Sequence, residues 1–567
     1  MAVLLAWISW QHSEPTEQSW RAMLRVALAR SPFPGEEHSG PGWRIYSAPT
    51  RPGETPVEAA DAHSLYLLDR APGPRLTPGS RAIENLLIDA GPCAGIALDT
   101  DTHRCRLFRD AMGQRSLVYA LIPGGVIAAS GERILAAHPA VSTDLDEDFL
   151  AAYLCALPPA HGASAFRQIR TVAAGETLAL SASGEKGQRI CVEPTEDGLG
   201  LSDAGIVDRF GELLQGAVAR ATLGAEKVGV SLSAGIDSAC VAAALPQGQP
   251  AVAVTYGFPS WPQIDEGPLA REIANALGIP HRLVEADELR PLCAQLQRPI
   301  NPDTPLASIY RELKEGAYQA FAQSGATTWV DGNFGDHLGR IADDWIYAGW
   351  RDRRWQALRR EFTWRRSADR RWWHDRGMRN LARRMMRRSI VPPQRLNWLE
   401  PGKRHVLRDR WLAELDRYRH FPRPLQAMNC LNAYAMASAS GEHFYAHRHR
   451  MEQVSPFRNL ELTRWMLSLP DDLHHRHGID KWLMRRWLER HLPSSVTRRP
   501  KSSDLTPFLA SSIEQDPRRW TELTDHATGW AAKLCSANPM NSTVDDQLLR
   551  RWLSTALGLW LFASGDA

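Results

Sequence analysis

The sequence predicts an α/β protein whose C-terminal part is built on a doubly wound parallel sheet. Three apolar strands alternate with helical stretches there: 227–231 runs into a Ser/Gly turn and a small apolar helix, 251–256 precedes an amphipathic helix at 266–277, and 327–330 leads into a Gly/Asp turn. Strands that alternate with helices form parallel sheets, which bind ligands at the carboxyl ends of their strands. Residues 1–195 differ, because short strands joined by Gly/Pro turns predict an α+β domain.

Length and composition set the expected organisation. A chain of 567 residues is too long for one core, so we expect two domains, 1–195 and 200–567, with an Arg/Trp-rich helical insert at about 345–410. The hydrophobic share of 44% and the charged share of 23% are typical of a soluble globular protein. The apolar opening, MAVLLAWISW, has no basic residue and is too short for a membrane span, so it predicts a first strand.

Cysteine usage and charge narrow the class further. The eight cysteines contain no C-x-x-C pair, which indicates neither a zinc site nor a disulfide framework and fits the reducing cytoplasm. The net charge is only +3, but residues 351–410 carry 20 Lys/Arg against 6 Asp/Glu. The positive charge is therefore concentrated in the insert.

The turn after the strand at 227–231 carries the clearest chemistry. It reads SLSAGIDS, and its members are Ser231, Leu232, Ser233, Ala234, Gly235, Ile236, Asp237 and Ser238. A strand, a Ser/Gly turn and a helix N-terminus together expose backbone N–H groups to an anion, and the carboxylate of Asp237 suits a cation that bridges to phosphate. The turn contains no G-K-[ST], so it is not a Walker loop. An ordinary strand-to-helix turn is the alternative interpretation.

A second turn, VDGNFGDHLG at 330–339, follows the third strand. Gly332 and Gly335 let the backbone approach a ligand, and Asp336 offers a second carboxylate. Because Mg²⁺ prefers carboxylate ligands, we expect Asp237 and Asp336 to hold it together. A Gly/Asp turn with a solvated aspartate is the alternative.

The order and spacing of these motifs resemble the synthetase half of the asparagine synthetase family. Its S-G-G-x-D-S pyrophosphatase loop is similar to the 231–238 turn, and its E-x-x-x-P-F, K-x-x-L-R and R-x-K motifs match segments that begin at Glu452, Lys481 and Arg499. The segment 108–119 resembles a hairpin of the family's glutaminase half. The resemblance implies a C-terminal domain of the ATP-pyrophosphatase type and an N-terminal domain that is a vestigial class II (Ntn-type) glutaminase.

The resemblance also implies an AMP-forming ligase that uses ATP and Mg²⁺. Asp237 and Asp336 would hold the metal, Lys501 would stabilise negative charge, and Glu452 and Asn333 match catalytic positions of the family. The implied nucleotide contacts are residues 231–238, Val254, Thr255, Tyr256, Asp331 and Gly332. The alternative for Glu452 is a structural role, in which it pairs with an arginine on a helix. We interpret Lys481 as structural, because the pattern K-x-x-L-R is also typical of one face of an amphipathic helix.

Three departures from the family pattern bear on the substrate. Ala2 stands where glutamine-dependent relatives carry a cysteine nucleophile, so we expect the N-terminal domain to be structural. Asn333 replaces an acidic residue thought to assist amine attack and cannot act as a general base. His337 replaces a glutamate after Asp336. Asparagine synthesis from ammonia is therefore disfavoured.

Two branches of the family lack glutaminase chemistry and close rings: the β-lactam synthetases and the lasso peptide macrolactam cyclases. The tyrosine that β-lactam synthetases place at position 333 is absent, and Asn333, the segment 303–305 and the insert favour a lasso cyclase. Such an enzyme joins an Asp or Glu side chain of a precursor peptide to the peptide's own N-terminal amine. A β-lactam-type or asparagine synthetase acting on a small amino acid, or a catalytically silent scaffold, remains the alternative.

The insert mixes arginines with tryptophans. Such a mixture suits nucleic acid, an anionic peptide, a partner protein, or simply helices with solvated arginines. We predict neither nucleic-acid nor membrane binding. The expected partners are the precursor peptide and the leader peptidase of the same pathway, with docking at Arg383, Arg384, Arg387 and Arg388 as a hypothesis.

Overall fold

The computed structural model describes the chain outside a set of short segments. These are residues 1, 12–14, 32, 50–55, 60–62, 71–82, 84–86, 88–90, 198–199, 292–303, 305, 307, 340–344, 352, 369–377, 379–380, 382–393, 433–445, 447, 500–504, 519, 524, 526–533, 535–551, 558 and 560–567. Lys501, the segment 303–305 (except Thr304) and the four arginines at 383–388 lie outside the described residues.

Among the described residues, two antiparallel sheets and three helices form the N-terminal part. The strands are β1 Val3–Ser9, β2 Glu36–Gly40, β3 Trp43–Ala48, β4 Val57–Ala59, β5 Ser64–Arg70, β6 Cys93–Asp99, β7 Cys105–Arg109, β8 Val118–Ile122, β9 Gly125–Ala129, β10 Arg170–Thr171, β11 Glu176–Ser181 and β12 Gly184–Arg189, and the helices are α1 Glu17–Arg30, α2 Glu132–Ala136 and α3 Glu147–Leu154. The sheet orders are β10-β8-β9-β1-β3-β2 and β12-β11-β7-β6-β5-β4.

Strand β1 accounts for the apolar opening of the chain. Leu4 belongs to the same buried core as Ile96 of the other sheet, whereas Leu5 belongs to the core that includes Trp20 of α1. Both faces of β1 are therefore buried, and a strand buried on both faces is apolar throughout rather than alternating.

A five-stranded parallel sheet organises the C-terminal part, as the sequence predicts. Its strands are β13 Val228–Ser231, β14 Ala251–Gly257, β15 His281–Glu285, β16 Thr328–Val330 and β17 Glu452–Val454, and its helices include α4 Asp203–Ala221, α5 Ile236–Ala243, α6 Gly267–Ala276 and α7 Arg311–Gln323. The order is β15-β14-β13-β16-β17. Because the chain first adds strands on one side of β13 and then on the other, the switch point of the sheet lies between β13 and β16.

The remaining elements are mostly helical, as predicted from 341 onward. They are α8 Gly335–Gly339, α9 Trp345–Arg351, α10 Trp355–Ala368, α11 Pro401–Asp416, α12 Pro424–Leu431, α13 Leu460–Ser468, α14 Trp482–Leu488, α15 Ser494–Thr497 and α16 Thr506–Gln515, three short 3₁₀ helices at Gln394–Trp398, Pro456–Arg458 and Asp471–Leu473, and the hairpin β18 His475–Arg476 and β19 Ile479–Asp480. The prediction missed β15, β17 and this hairpin.

Within the described ranges, no helix combines the length and apolar character that crossing a membrane requires.

Candidate active site

The two predicted turns meet at the switch point of the parallel sheet. A Cβ atom added at Gly332 would lie 2.6 Å from the backbone nitrogen of Ser238, and one added at Gly335 would lie 2.5 Å from Cγ of Asp237. A side chain at position 332 would overlap the backbone of α5, and one at position 335 would displace the side chain of Asp237. The two glycines therefore allow the turn after β16 to pack against the start of α5.

Lys481 joins the two predicted metal ligands. Its Nζ atom lies 2.6 Å from Oδ2 of Asp237 and 2.6 Å from Oδ1 of Asp336. The lysine side chain is only 11% exposed. Three charged groups from three separate segments thus converge on one point. The sequence pattern instead predicts that Lys481 lies on the face of a helix. The residue precedes that helix, α14, with a left-handed φ of 58°.

Hydrogen bonds hold the SLSAGIDS turn in shape. The hydroxyl groups of Ser233 and Ser238 lie 2.9 Å apart, the amide of Ser233 donates to Ser238 Oγ at 3.1 Å, and the amide of Gly235 donates to Ser233 Oγ at 3.1 Å. Ala234 lies outside the left-handed region, so its methyl group adds no backbone strain. The Ala234 amide donates to Glu266 Oε2 at 3.2 Å.

Four of the predicted nucleotide contacts in this turn are buried, namely Leu232, Ala234, Ile236 and Ser238, and two of them belong to the main hydrophobic core. Leu232 and Ile236 are 1% and 7% exposed and belong to the main hydrophobic core. The amide of Leu232 donates to the carbonyl of Val254 at 2.9 Å, as part of the sheet. Leu232 therefore packs in the core beneath the turn, whereas Ser231, at the end of β13, and Asp237, in the first turn of α5, are only partly buried.

Among the three predicted nucleotide contacts on β14, only Tyr256 is not buried. Val254 and Thr255 are 3% and 4% exposed. Thr255 Oγ1 donates to the Leu232 carbonyl at 2.6 Å and lies 2.9 Å from Nε2 of His281. Tyr256 is half-buried, and its aromatic ring is of a kind that stacks on a nucleotide base.

The buried carboxylate of Asp331 organises the second turn. Asn333 donates to it twice, from its backbone nitrogen at 3.0 Å and from Nδ2 at 2.9 Å. Gln453 Nε2 and Ser455 Oγ each donate to it at 2.8 Å. Asp331 is 4% exposed, so it shapes the turn and holds Asn333 rather than facing open solvent.

Comparison with known families decides the affiliation of this site. A family model described as asparagine synthase matches residues 209–561, which include both turns, β17 and Lys481. The chain belongs to the asparagine synthase family. A second model, a glutamine amidotransferase domain, matches residues 90–190. Membership of the asparagine synthase family indicates an ATP-dependent amide-forming ligase.

More distant similarities were found among solved structures. The glutamine phosphoribosylpyrophosphate amidotransferase from B. subtilis, complexed with ADP and GMP, is 11% identical with a TM-score of 0.22, and the match covers 50% of this chain and 66% of that one. The allosteric regulatory enzyme of purine biosynthesis is also 11% identical with a TM-score of 0.22, and the match covers 58% of this chain and 74% of that one. A search of curated proteins found no match.

A buried ion pair connects the amidotransferase-like domain to the asparagine synthase domain. Arg115 is hydrogen-bonded through Nη2 to Oε1 of Glu452, and its Nε lies 3.6 Å from Oδ1 of Asp69. All three residues are at most 4% exposed. Burial by itself lowers the pKa of Arg115, but Asp69 and Glu452 outweigh burial and raise it above its usual range. Glu452, one of the predicted catalytic residues, thus lies in an interdomain ion pair.

The same buried network reaches the start of the chain. The amide of Ala2 donates to Oδ1 of Asp69 at 2.8 Å, and Ala2 is 4% exposed. Gln114 Nε2, next to Arg115, donates to the carbonyl of Arg458 at 3.2 Å. The position where relatives carry a nucleophilic cysteine is therefore part of a packed interface.

Proposed function

We propose that this asparagine synthase family member is an AMP-forming ligase that closes a precursor peptide into a macrolactam, as a lasso peptide cyclase does. The convergence of Asp237, Asp336 and Lys481 beside the SLSAGIDS turn carries the nucleotide part of the proposal. Two carboxylates suit a cation, an ammonium group suits phosphate oxygens, and the turn supplies hydroxyl groups at the N-terminus of a helix.

The donor set fits Mg²⁺. Asp237 and Asp336 already share one positively charged group at 2.6 Å from each, so their oxygens are close enough to act on one cation. When bound by these two carboxylates, Mg²⁺ would neutralise negative charge on the phosphates of ATP. Lys481 adds a second positive charge at the same strand ends.

The proposed reaction has two steps. A carboxylate oxygen of an Asp or Glu side chain attacks the α-phosphorus of ATP, and the bond to pyrophosphate breaks. The N-terminal amine nitrogen of the same peptide then attacks the acyl carbon, the carbon–oxygen bond to AMP breaks, and the amine loses a proton. Holding the amine and the acyl carbon together can lower the barrier by roughly 7–11 kcal/mol. Lys501 remains a predicted contributor to charge stabilisation, outside the described residues.

Two features favour ring closure over glutamine- or ammonia-dependent synthesis. Ala2 offers no thiol and its backbone amide is already bound to Asp69, so the N-terminal domain has no nucleophile at that position. Asn333 donates its side-chain amide to Asp331 and has no basic group to remove a proton from ammonia.

The insert offers a site for the peptide. An open groove of about 450 Å³ lies on α9 and α10, with Arg359 and Arg366 beside an apolar lining of Ile346, Trp350, Trp355, Leu358, Phe362 and Leu381. Aromatic and aliphatic walls bind apolar side chains, and the two arginines complement an acidic residue. We propose that the precursor peptide binds here, with the leader peptidase of the pathway as the protein that delivers it.

Mass spectrometry of a candidate precursor peptide tests the proposal. The leader-free peptide, incubated with the protein and MgATP, is expected to lose one water for each AMP released, and Asp237→Ala should abolish both. An unchanged peptide with AMP formed from a small amino acid would instead identify a small-molecule synthetase.

A further inference from the structure

Lys481 is presented by a tight hairpin. Strands β18 and β19 are joined by only two residues, His477 and Gly478, which have left-handed φ values of 55° and 71°. Two consecutive left-handed residues are typical of a type I′ turn. After the extended strand β19, the backbone is left-handed again at Lys481, with a φ of 58°. The position of the ammonium group therefore depends on how firmly this hairpin is held.

Helix α10 of the insert holds the hairpin through one buried carboxylate. Oε2 of Glu361 accepts the amide of His477 at 2.8 Å, and Oε1 accepts Nε of Arg365 at 2.9 Å. Glu361 is 4% exposed. One turn further along the same helix, the Trp364 ring lies against Gly478 so closely that a Cβ atom there would overlap it.

His475 extends this contact to the residue beside the lysine. Its Nε2 lies 3.5 Å from Oε1 of Glu361, and its Nδ1 lies 2.7 Å from Oδ1 of Asp480. Burial lowers the pKa of His475, but the carboxylates of Asp480 and Glu361 outweigh burial and raise it to about 9, so the ring is an imidazolium at neutral pH. The positively charged ring of His475 therefore lies between the carboxylates of Glu361 and Asp480. These three charged groups connect helix α10 to Asp480, the residue that precedes Lys481.

We propose that Glu361 is a positioning residue for Lys481, so that the Arg/Trp-rich insert controls the geometry of the nucleotide site. The inference rests on the proposed function only for the role of Lys481. The opposite side of α10 contributes Leu358, Phe362 and Arg366 to the groove assigned above to the peptide. A peptide that moves α10 therefore also moves the hairpin and the lysine.

Chemical labelling of lysines tests this inference without any substrate. Acetic anhydride is applied briefly to the wild type and to Glu361→Gln, and the acetylation of Lys481 and Lys403 is quantified by peptide mass spectrometry. Lys403 is the internal reference, since it also lies between two carboxylates, Glu147 and Asp148, at 3.2 and 3.0 Å. We expect labelling of Lys481 to rise about tenfold, the factor for losing one charge-assisted hydrogen bond, with Lys403 unchanged.

Two further variants keep the test decisive. Asp480→Asn breaks the contact with His475 at a side chain that is 56% exposed, so it should fold and should also raise Lys481 labelling. Glu414→Gln, a carboxylate of α11 that is 15% exposed and bonds to Tyr418 and Arg417, should leave labelling as in the wild type. Unchanged Lys481 labelling in both Glu361→Gln and Asp480→Asn, or an equal rise at Lys403, would overturn the inference. Absence of AMP formation by the wild type would refute the proposed function but not the labelling result.

Discussion

The ammonium group of Lys481 lies 2.6 Å from Oδ2 of Asp237, although 244 residues separate the two along the chain. Asp336 contacts the same ammonium group at 2.6 Å. Each residue comes from a different element: Asp237 from the first turn of α5, Asp336 from α8, and Lys481 from the end of a hairpin. Their meeting point is the edge of the sheet where an α/β fold binds ligands.

Replacement of Lys481 should remove chemistry rather than fold. Lys481→Met is expected to lower the rate of AMP formation at least about 100-fold, because a fixed positive charge beside the phosphates is lost. Lys403→Met is the matched control, since that lysine also lies between two carboxylates, but these are Glu147 and Asp148 of α3 rather than residues of the two turns. Equal losses in the two variants would contradict the role given to Lys481.

The close approach of the two turns predicts that activity depends on the glycine at position 335. Gly335→Ala places a methyl group against the carboxylate of Asp237 and should abolish AMP formation. Gly402→Ala has open space around its Cβ in helix α11 and should leave activity intact while stabilising the protein by up to about 1 kcal/mol. Thermal unfolding and AMP release measure both. An active Gly335→Ala enzyme would show that the turns need not touch.

The Arg115–Glu452 pair is expected to contribute to the free energy of unfolding. Arg115→Met leaves Glu452 and Asp69 buried without their shared cation, and loss of one partner of a buried pair costs about 3–5 kcal/mol. Arg170→Met, which breaks a partly exposed pair with Glu185, should cost at most about 1 kcal/mol. Urea unfolding measures both changes. A cost for Arg115→Met no larger than that of its control would contradict an interdomain anchor.

His475 predicts a pH dependence of stability. Its pKa is raised from 6.5 to about 9 in the folded protein, so its contribution is complete below pH 6.5 and is lost as the pH rises through 9. The free energy of unfolding should therefore fall over this range by an amount on the order of 3 kcal/mol, and His475→Gln should remove that fall. Parallel pH profiles in the two proteins would contradict a charged His475.

Local patterns predicted much of the fold and little of the lysine's position. The turns 231–238 and 330–339 and the parallel strands before them are local, so apolar runs and glycines indicate them directly. Strand β17 is as short as β16, but two of its three residues are the polar Glu452 and Gln453, so it shows no apolar run. The helical sequence around Lys481 predicts that this residue lies on a helix face. Its actual partners, Asp237 and Asp336, come from distant segments. The Arg115–Glu452 pair likewise joins two domains, which no local pattern records.

The nucleotide product tests the central claim most directly. The wild type, incubated with MgATP and a leader-free precursor peptide, should yield AMP and pyrophosphate in equal amounts with loss of one water from the peptide, and Asp237→Asn should yield none. Formation of ADP and phosphate, or AMP formation that survives Asp237→Asn, would contradict an adenylating site at Asp237, Asp336 and Lys481.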